Sequence, residues 1–130
     1  MCIRDRAARL RDYQRVGVAW LWHLWKNRLG GVLADEMGLG KTAQALALLH
    51  CIHKAESSRV LCAPSLIVVP AGLLGNWRRE AAMFVPALRG FTHHGASRLG
   101  GPETVAGYDF VLTSYATLAR DCLLYTSRCV

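Results

Sequence analysis

The segment Asp35-Glu36-Met37-Gly38-Leu39-Gly40-Lys41-Thr42 holds the residue types needed to grip a phosphate chain. Glycines at 38 and 40 allow the backbone to curl so that successive N–H groups converge into an anion-binding nest. Lys41 can reach β- and γ-phosphates, and the Thr42 hydroxyl can ligate Mg2+. A helix opening at Lys41-Thr42 adds unpaired N–H groups and the positive end of its dipole to the same spot. The general pattern of such loops is G-x-x-x-x-G-K-[ST], and Asp35 stands where that pattern has its first glycine. The alternative is an ordinary helix N-terminus, with Lys41 solvated and Thr42 serving as an N-cap. Strand, two glycines, Lys-Thr and helix in that order favour the phosphate site.

The flanking elements must supply that order. From Leu10 to Arg28 the pattern is helical, with Tyr13, Val16, Gly17, Trp20, Leu21 and Leu24 at spacings of three and four. Gly30-Gly31 is expected to stop this helix. The apolar run Val32-Leu33-Ala34, ending at Asp35, predicts a buried strand leading into the loop. Thr42–His53 reads as an Ala/Leu-rich helix and Lys54–Arg59 as a polar turn. Leu66-Ile67-Val68-Val69 is β-branched, ends at Pro70 and predicts a buried parallel strand. Leu73–Phe84 reads as a helix ended by Pro86, and Arg89–Pro102 as a loop with room for one short strand. Asp109–Thr113 predicts a further strand, and Tyr115–Arg120 the start of a helix. Strands near 32–35, 66–69 and 109–113 alternating with helices predict an α/β fold, a parallel sheet with helices on both faces.

Hydrophobic residues make up 52% of the 130 and charged residues 19%, which excludes a disordered polyelectrolyte. No apolar run reaches the ~20 residues of a membrane-spanning helix, and Met1–Arg6 has no apolar signal core. The expected setting is therefore cytoplasmic, at the nucleoid or in the nucleus according to the cell type. The two ends read as adapter-derived scars. Met1–Asp5 can be encoded as ATGTGTATAAGAGAC, and Cys122–Ser127 as a string containing its reverse complement. Residues 1–6 and 122–130 are accordingly set apart from a partial domain at 7–121. Without them, three arginines and one aspartate fewer lower the formal charge from +7 to about +5. Cys51 and Cys62 then remain, without a C-x-x-C pair, and read as reduced packing residues. The residual positive charge suits a polyanionic partner but does not specify one.

Three further segments, read with the phosphate loop, resemble the Swi/Snf-related ATPases, a branch of the superfamily-two helicases. Leu10–Leu21 is similar to that family's adenine-recognition segment, which implies that Gln14 presents an acceptor and a donor to the adenine edge. Read without the resemblance, Gln14 is an exposed residue on an amphipathic helix. Asp35–Gln44 is similar to the family's phosphate loop, and this accounts for aspartate at position 35. Val68-Val69-Pro70-Ala71 with Leu73, Asn76, Trp77 and Glu80 resembles a motif facing the DNA backbone. Asp109–Tyr115 resembles a strand-end motif in which Thr113 and Ser114 contact phosphates. Such contacts grip the sugar-phosphate chain without reading sequence. The plainer readings are a core tryptophan at 77 and a simple strand end at 113–114.

The resemblance implies an incomplete RecA-like lobe that binds ATP with Mg2+ held through Thr42. Asp35, Glu36, Met37, Gly38, Leu39, Gly40, Lys41 and Thr42 would line the nucleotide, with Lys41 and Thr42 as the groups nearest the chemistry. Pro70, Asn76, Thr113 and Ser114 would meet double-stranded DNA. A second RecA-like lobe would supply arginines, and the water-orienting carboxylates would come from an Asp-Glu-containing motif after the next strand. Neither group lies in these 130 residues, so the chain is expected to be truncated before them and inactive alone. A small-molecule kinase and a non-catalytic nucleic-acid-binding module are the rival classes. His93-His94, adjacent and off metal spacing, read as a solvated loop. His50 and His53 lack an evident third ligand, and Trp20, Trp22 and Trp25 read as core residues.

Overall fold

The computed structural model describes residues 10–56, 63–97, 105 and 107–121. The terminal stretches read as scars lie outside these residues, as does Cys62, whereas Cys51 is buried in the core.

Helix α1 spans Asp12–Lys26. Its start is held by Gln14, whose Oε1 accepts the Arg11 N–H at 2.9 Å, satisfying a donor that helix geometry leaves open. The buried face is not the one the apolar spacing suggested. Gln14 and Val18 are buried, with Gly17 and Leu21 half-buried, while Tyr13 and Trp20 are exposed and Val16 is 70% exposed. The helix is turned by about one residue because its neighbour in space is helix α2, and contact with α2 decides which stripe is covered. Of the three tryptophans expected in the core, Trp22 and Trp25 stack on one another at 4.9 Å, and Trp20 faces outward. The helix also ends before Gly30-Gly31. Arg28 adopts the left-handed conformation at φ 56, with its N–H bonded to Trp25 O and the Leu29 N–H bonded to Leu24 O. That pair of bonds closes a Schellman motif with arginine where glycine is usual.

Helix α2 covers Lys41–Glu56, so Lys54–Glu56 are helical rather than part of the expected turn, whose remainder at 57–59 lies outside the described residues. Strands β1 (Ser65–Val69), β2 (Gly90–His93) and β3 (Phe110–Ser114) form a parallel sheet in the order β1-β3-β2. Helix α3 (Leu74–Phe84) follows β1 through a 3-10 turn at Ala71–Leu73, and α4 (Tyr115–Arg120) follows β3. The expected strands at 66–69 and 109–113 are present within a residue, and the parallel α/β arrangement with them.

The strand expected at 32–35 is absent. Those residues form no ladder with any strand of the sheet, and Val32 is 81% exposed. Apolar composition alone does not make a strand; a hydrogen-bonded neighbour does. The short strand for which residues 89–102 left room is edge strand β2, where Gly90–His93 pairs in register with Phe110–Thr113.

The central strand is the most buried element, all five residues from Phe110 to Ser114 being covered. Phe110 and Leu112 share a core with Val69 of β1, Leu46 of α2, and Leu74 and Ala81 of α3. Trp77 and Phe84 pack against the same core, which bears out burial as the role of Trp77. Each large side chain enclosed here contributes about 1.5–3 kcal/mol.

Candidate nucleotide-binding site

The phosphate loop is built by two left-handed glycines, Gly38 at φ +84 and Gly40 at φ +76. No side chain with a Cβ adopts that region without strain, which is why the turn between residues 35 and 41 requires glycine twice. Helix α2 then opens at Lys41, with Gln44 N–H bonded to Gly40 O at 3.1 Å as its first turn closes. The preceding N–H groups lack acceptors within the helix and are available to an anion. Lys41 folds back over the loop, donating from Nζ to Asp35 O at 2.6 Å and Glu36 O at 2.7 Å. Its ammonium group is thus held over the nest, where a phosphate oxygen would replace the carbonyls as its acceptor.

Of the residues expected to surround the nucleotide, Met37 is 95% exposed and Glu36 is exposed, while Asp35, Leu39, Lys41 and Thr42 are half-buried. Thr42 sits at the second position of α2. Its hydroxyl offers one protein oxygen to Mg2+, which ordinarily fills its other positions with phosphate oxygens and water. These residues fit a magnesium–nucleotide complex.

Gln14 is placed beside the loop by α1, but its amide is engaged with protein. Nε2 donates to Leu39 O at 3.0 Å, and Oε1 accepts from Arg11 N–H. The Tyr13 hydroxyl donates to the same Leu39 carbonyl at 3.1 Å. The residue read from sequence as exposed is buried, and it ties α1 to the phosphate loop. A Cβ at Gly40 would overlap Gln14 Nε2, so the second loop glycine is also required by close approach.

The residues expected to meet DNA lie at the carboxyl ends of two neighbouring strands. Val69 faces Ser114 in the parallel register, which brings the exposed Pro70 next to the end of β3. Asn76 is half-buried on α3, donating to Glu80 Oε1 at 2.8 Å and accepting from Arg79 Nη2 at 3.4 Å. The Thr113 and Ser114 hydroxyls turn inward. Thr113 Oγ1 donates to His93 O at 2.9 Å, and Ser114 Oγ accepts from Thr117 N–H at 3.3 Å, capping α4.

Sequence reasoning missed the polar cluster beside this strand end. His93 is fully buried at the end of β2, 2.8 Å from Asp121 Oδ2, which corrects its assignment to a solvated loop. His94 approaches Thr117 Oγ1 at 3.0 Å and Ser114 Oγ at 3.3 Å. Pairing of β2 with β3 creates this cluster, and the segment's composition carried no signal for it. His53 contacts Asp109 at 3.3 Å, and no group of three or more metal-ligating side chains is present among the described residues. A cavity of about 30 Å3 near His53, Leu88 and Tyr108 is water-sized and shares no residue with the phosphate loop.

Among the described residues, no helix is long and apolar enough to cross a membrane. The chain is 45% identical over 115 residues to YwqA of Bacillus subtilis, named for ATP-dependent helicase/translocase activity. That match covers 86% of this chain and 12% of the relative. It is 41% identical over 130 residues to CHR17 of Arabidopsis thaliana, an ISWI chromatin-remodeling complex ATPase, covering 92% of this chain and 11% of the relative. The SWI2/SNF2 ATPase core of Sulfolobus solfataricus in complex with double-stranded DNA superposes with a TM-score of 0.72 at 38% identity. That superposition covers 88% of this chain and 23% of the solved one. The chain therefore spans a small part of the proteins it matches. The sequence profile of the SNF2-related domain matches residues 13–128, and the chain belongs to that family.

Proposed function

We propose that this chain is the nucleotide-binding part of an ATP-driven translocase acting on double-stranded DNA. The observation that carries the reading is the loop itself. Gly38 and Gly40 are left-handed at the start of α2, and Lys41 is held above the loop carbonyls. In this reading the loop amides and Lys41 bind the β- and γ-phosphates, and Thr42 supplies a ligand to Mg2+. Asp35 and Glu36 position Lys41 through their carbonyls, and Met37 and Leu39 border the nucleotide. Gln14 supports the loop through Leu39 and reaches adenine by exchanging its present partners. Bound Mg2+ supplies charge neutralisation at the phosphates.

DNA would pass across the carboxyl ends of β1 and β3, the edge where parallel sheets usually place ligands. Pro70 and Asn76 border that edge directly. Thr113 and Ser114 shape it from within, since their hydroxyls are buried and internally bonded. The DNA-bound Sulfolobus core supports this partner class. Hydrolysis also requires a water-orienting carboxylate and arginines from a second RecA-like lobe. We expect residues 1–130 by themselves to bind nucleotide weakly and not to turn it over.

The deciding experiment is titration of the protein with a fluorescent ATP analogue and Mg2+, repeated with Lys41→Ala. Binding that weakens at least about tenfold in the variant supports the site, since a charge-assisted phosphate contact is worth that much. Equal binding by both proteins would sink it. Competition by duplex DNA, measured against small phosphoryl acceptors, separates a translocase from a small-molecule kinase.

A further inference from the structure

Gln44 is a completely buried glutamine in the first turns of α2, and neither end of its amide faces solvent. Its Nε2 donates to Asp35 Oδ2 at 3.1 Å. A carboxylate can only accept, so the amino end of Gln44 must face Asp35 and the carbonyl end must point the other way. That carbonyl oxygen is aimed at α1. A Cβ at position 17 would overlap Oε1, and the oxygen has no hydrogen-bond donor among the described residues. Gly17 lies in the interior of a helix, where alanine is ordinarily the more stable residue. Its glycine makes room for the amide.

We propose that Gln44 is a positioning residue for the phosphate loop, clamping Asp35 from α2 while seated against Gly17 of α1. This rests on the nucleotide-binding reading above. Asp35 is held twice: its backbone carbonyl accepts from Lys41 Nζ, and its carboxylate accepts from Gln44. The departure from the general loop pattern then has a physical purpose. A glycine at position 35 would offer no side chain to hold, whereas the aspartate anchors the loop's first residue to the helix that follows it. α1, the loop and α2 become one unit before nucleotide arrives, which lowers the ordering cost of binding. A buried amide oxygen without a donor is unfavourable by itself. Packing alone would be served equally well by methionine.

The test compares Gln44→Met, Gln44→Ala, Gly17→Ala and the Gly17→Ala/Gln44→Ala double variant in the intact chain. Three quantities are read: affinity for a fluorescent ATP analogue with Mg2+, Tm, and amide hydrogen exchange at Leu39–Lys41 without nucleotide. Gln44→Met should weaken nucleotide binding about tenfold, the size of one hydrogen bond to a charged group, and should speed exchange in the loop. Gly17→Ala should lower Tm by roughly 4 °C or more in the native background and raise it in the Gln44→Ala background. Unchanged loop exchange and affinity in Gln44→Met would overturn the proposal. So would a Gly17→Ala effect of the same sign and size in both backgrounds. Lys41→Ala is the separate control. If it binds the analogue as the native chain does, the nucleotide reading fails, and the exchange and Tm measurements still decide the role of Gln44.

Discussion

Gln14 and Leu39 are joined across 25 positions of sequence by a hydrogen bond of 3.0 Å from the glutamine amide to the leucine carbonyl. The other end of the same amide accepts the Arg11 N–H at 2.9 Å, so one side chain both starts α1 and holds the phosphate loop against it. Gln14→Ala should cost about 1–3 kcal/mol, since two bonds of a buried amide are lost. Gln14→Glu keeps the acceptor for Arg11 but sets a carboxylate against Leu39 O, and should cost at least as much as Gln14→Ala. Urea denaturation measures both, and a cost under about 0.5 kcal/mol for the alanine variant would show that the bond holds nothing.

The two loop glycines should respond differently to the same methyl group. Gly38 has open space around its missing Cβ, so Gly38→Ala should cost only backbone strain, about 1–2 kcal/mol. At Gly40 the methyl also overlaps Gln14 Nε2, so Gly40→Ala should cost more. Replacing Gln14 by alanine should bring the second cost down towards the first. Equilibrium unfolding of the two variants and of the Gly40→Ala/Gln14→Ala pair checks the ranking.

Arg28 occupies the left-handed position that ends α1, at φ 56. Arg28→Gly should stabilise the protein by about 1 kcal/mol, because the strain of a Cβ in that region disappears while the two capping bonds remain. A thermal scan showing a lower Tm would mean that the arginine side chain contributes more than its backbone loses.

His93 and Asp121 meet at 2.8 Å, with the histidine side chain only 1% exposed. Asp121→Ala should cost about 1–3 kcal/mol through the buried ring nitrogen left without its carboxylate, and Asp121→Asn should cost less. Hydrogen exchange at the end of β2 should rise in step with the loss. Equal costs for both variants would argue against a specific bond.

Within the sheet, Leu112 of β3 is 1% exposed, whereas Leu66 of β1 is 45% exposed. Leu112→Ala should cost about 2–5 kcal/mol, the range for emptying a packed core site. Leu66→Ala should cost well under half of that. Comparable losses would mean that Leu66 is covered as fully as Leu112.

The amino-acid sequence by itself determined the features that depend on neighbours in the chain. Gly38, Gly40 and Lys41-Thr42 specify a left-handed turn into a helix whatever surrounds them, and the loop adopts that form. Helix α3 and strands β1 and β3 follow from spacing, β-branching and the proline at 70, and the motif order around them was enough to indicate the family. Tertiary structure decided what depends on contact. Val32–Asp35 has an apolar run suited to a strand but pairs with no strand among the described residues, so it forms none. The short strand allowed within residues 89–102 is fixed at Gly90–His93 only because β3 offers its free edge there. Which stripe of α1 is buried was set by packing on α2, and this put Gln14 inside and Val16 outside. The clamp of Gln44 on Asp35 and the pairing of His93 with Asp121 link residues 9 and 28 positions apart. Periodicity records which faces are apolar; it carries no information about which polar groups will meet when those faces close.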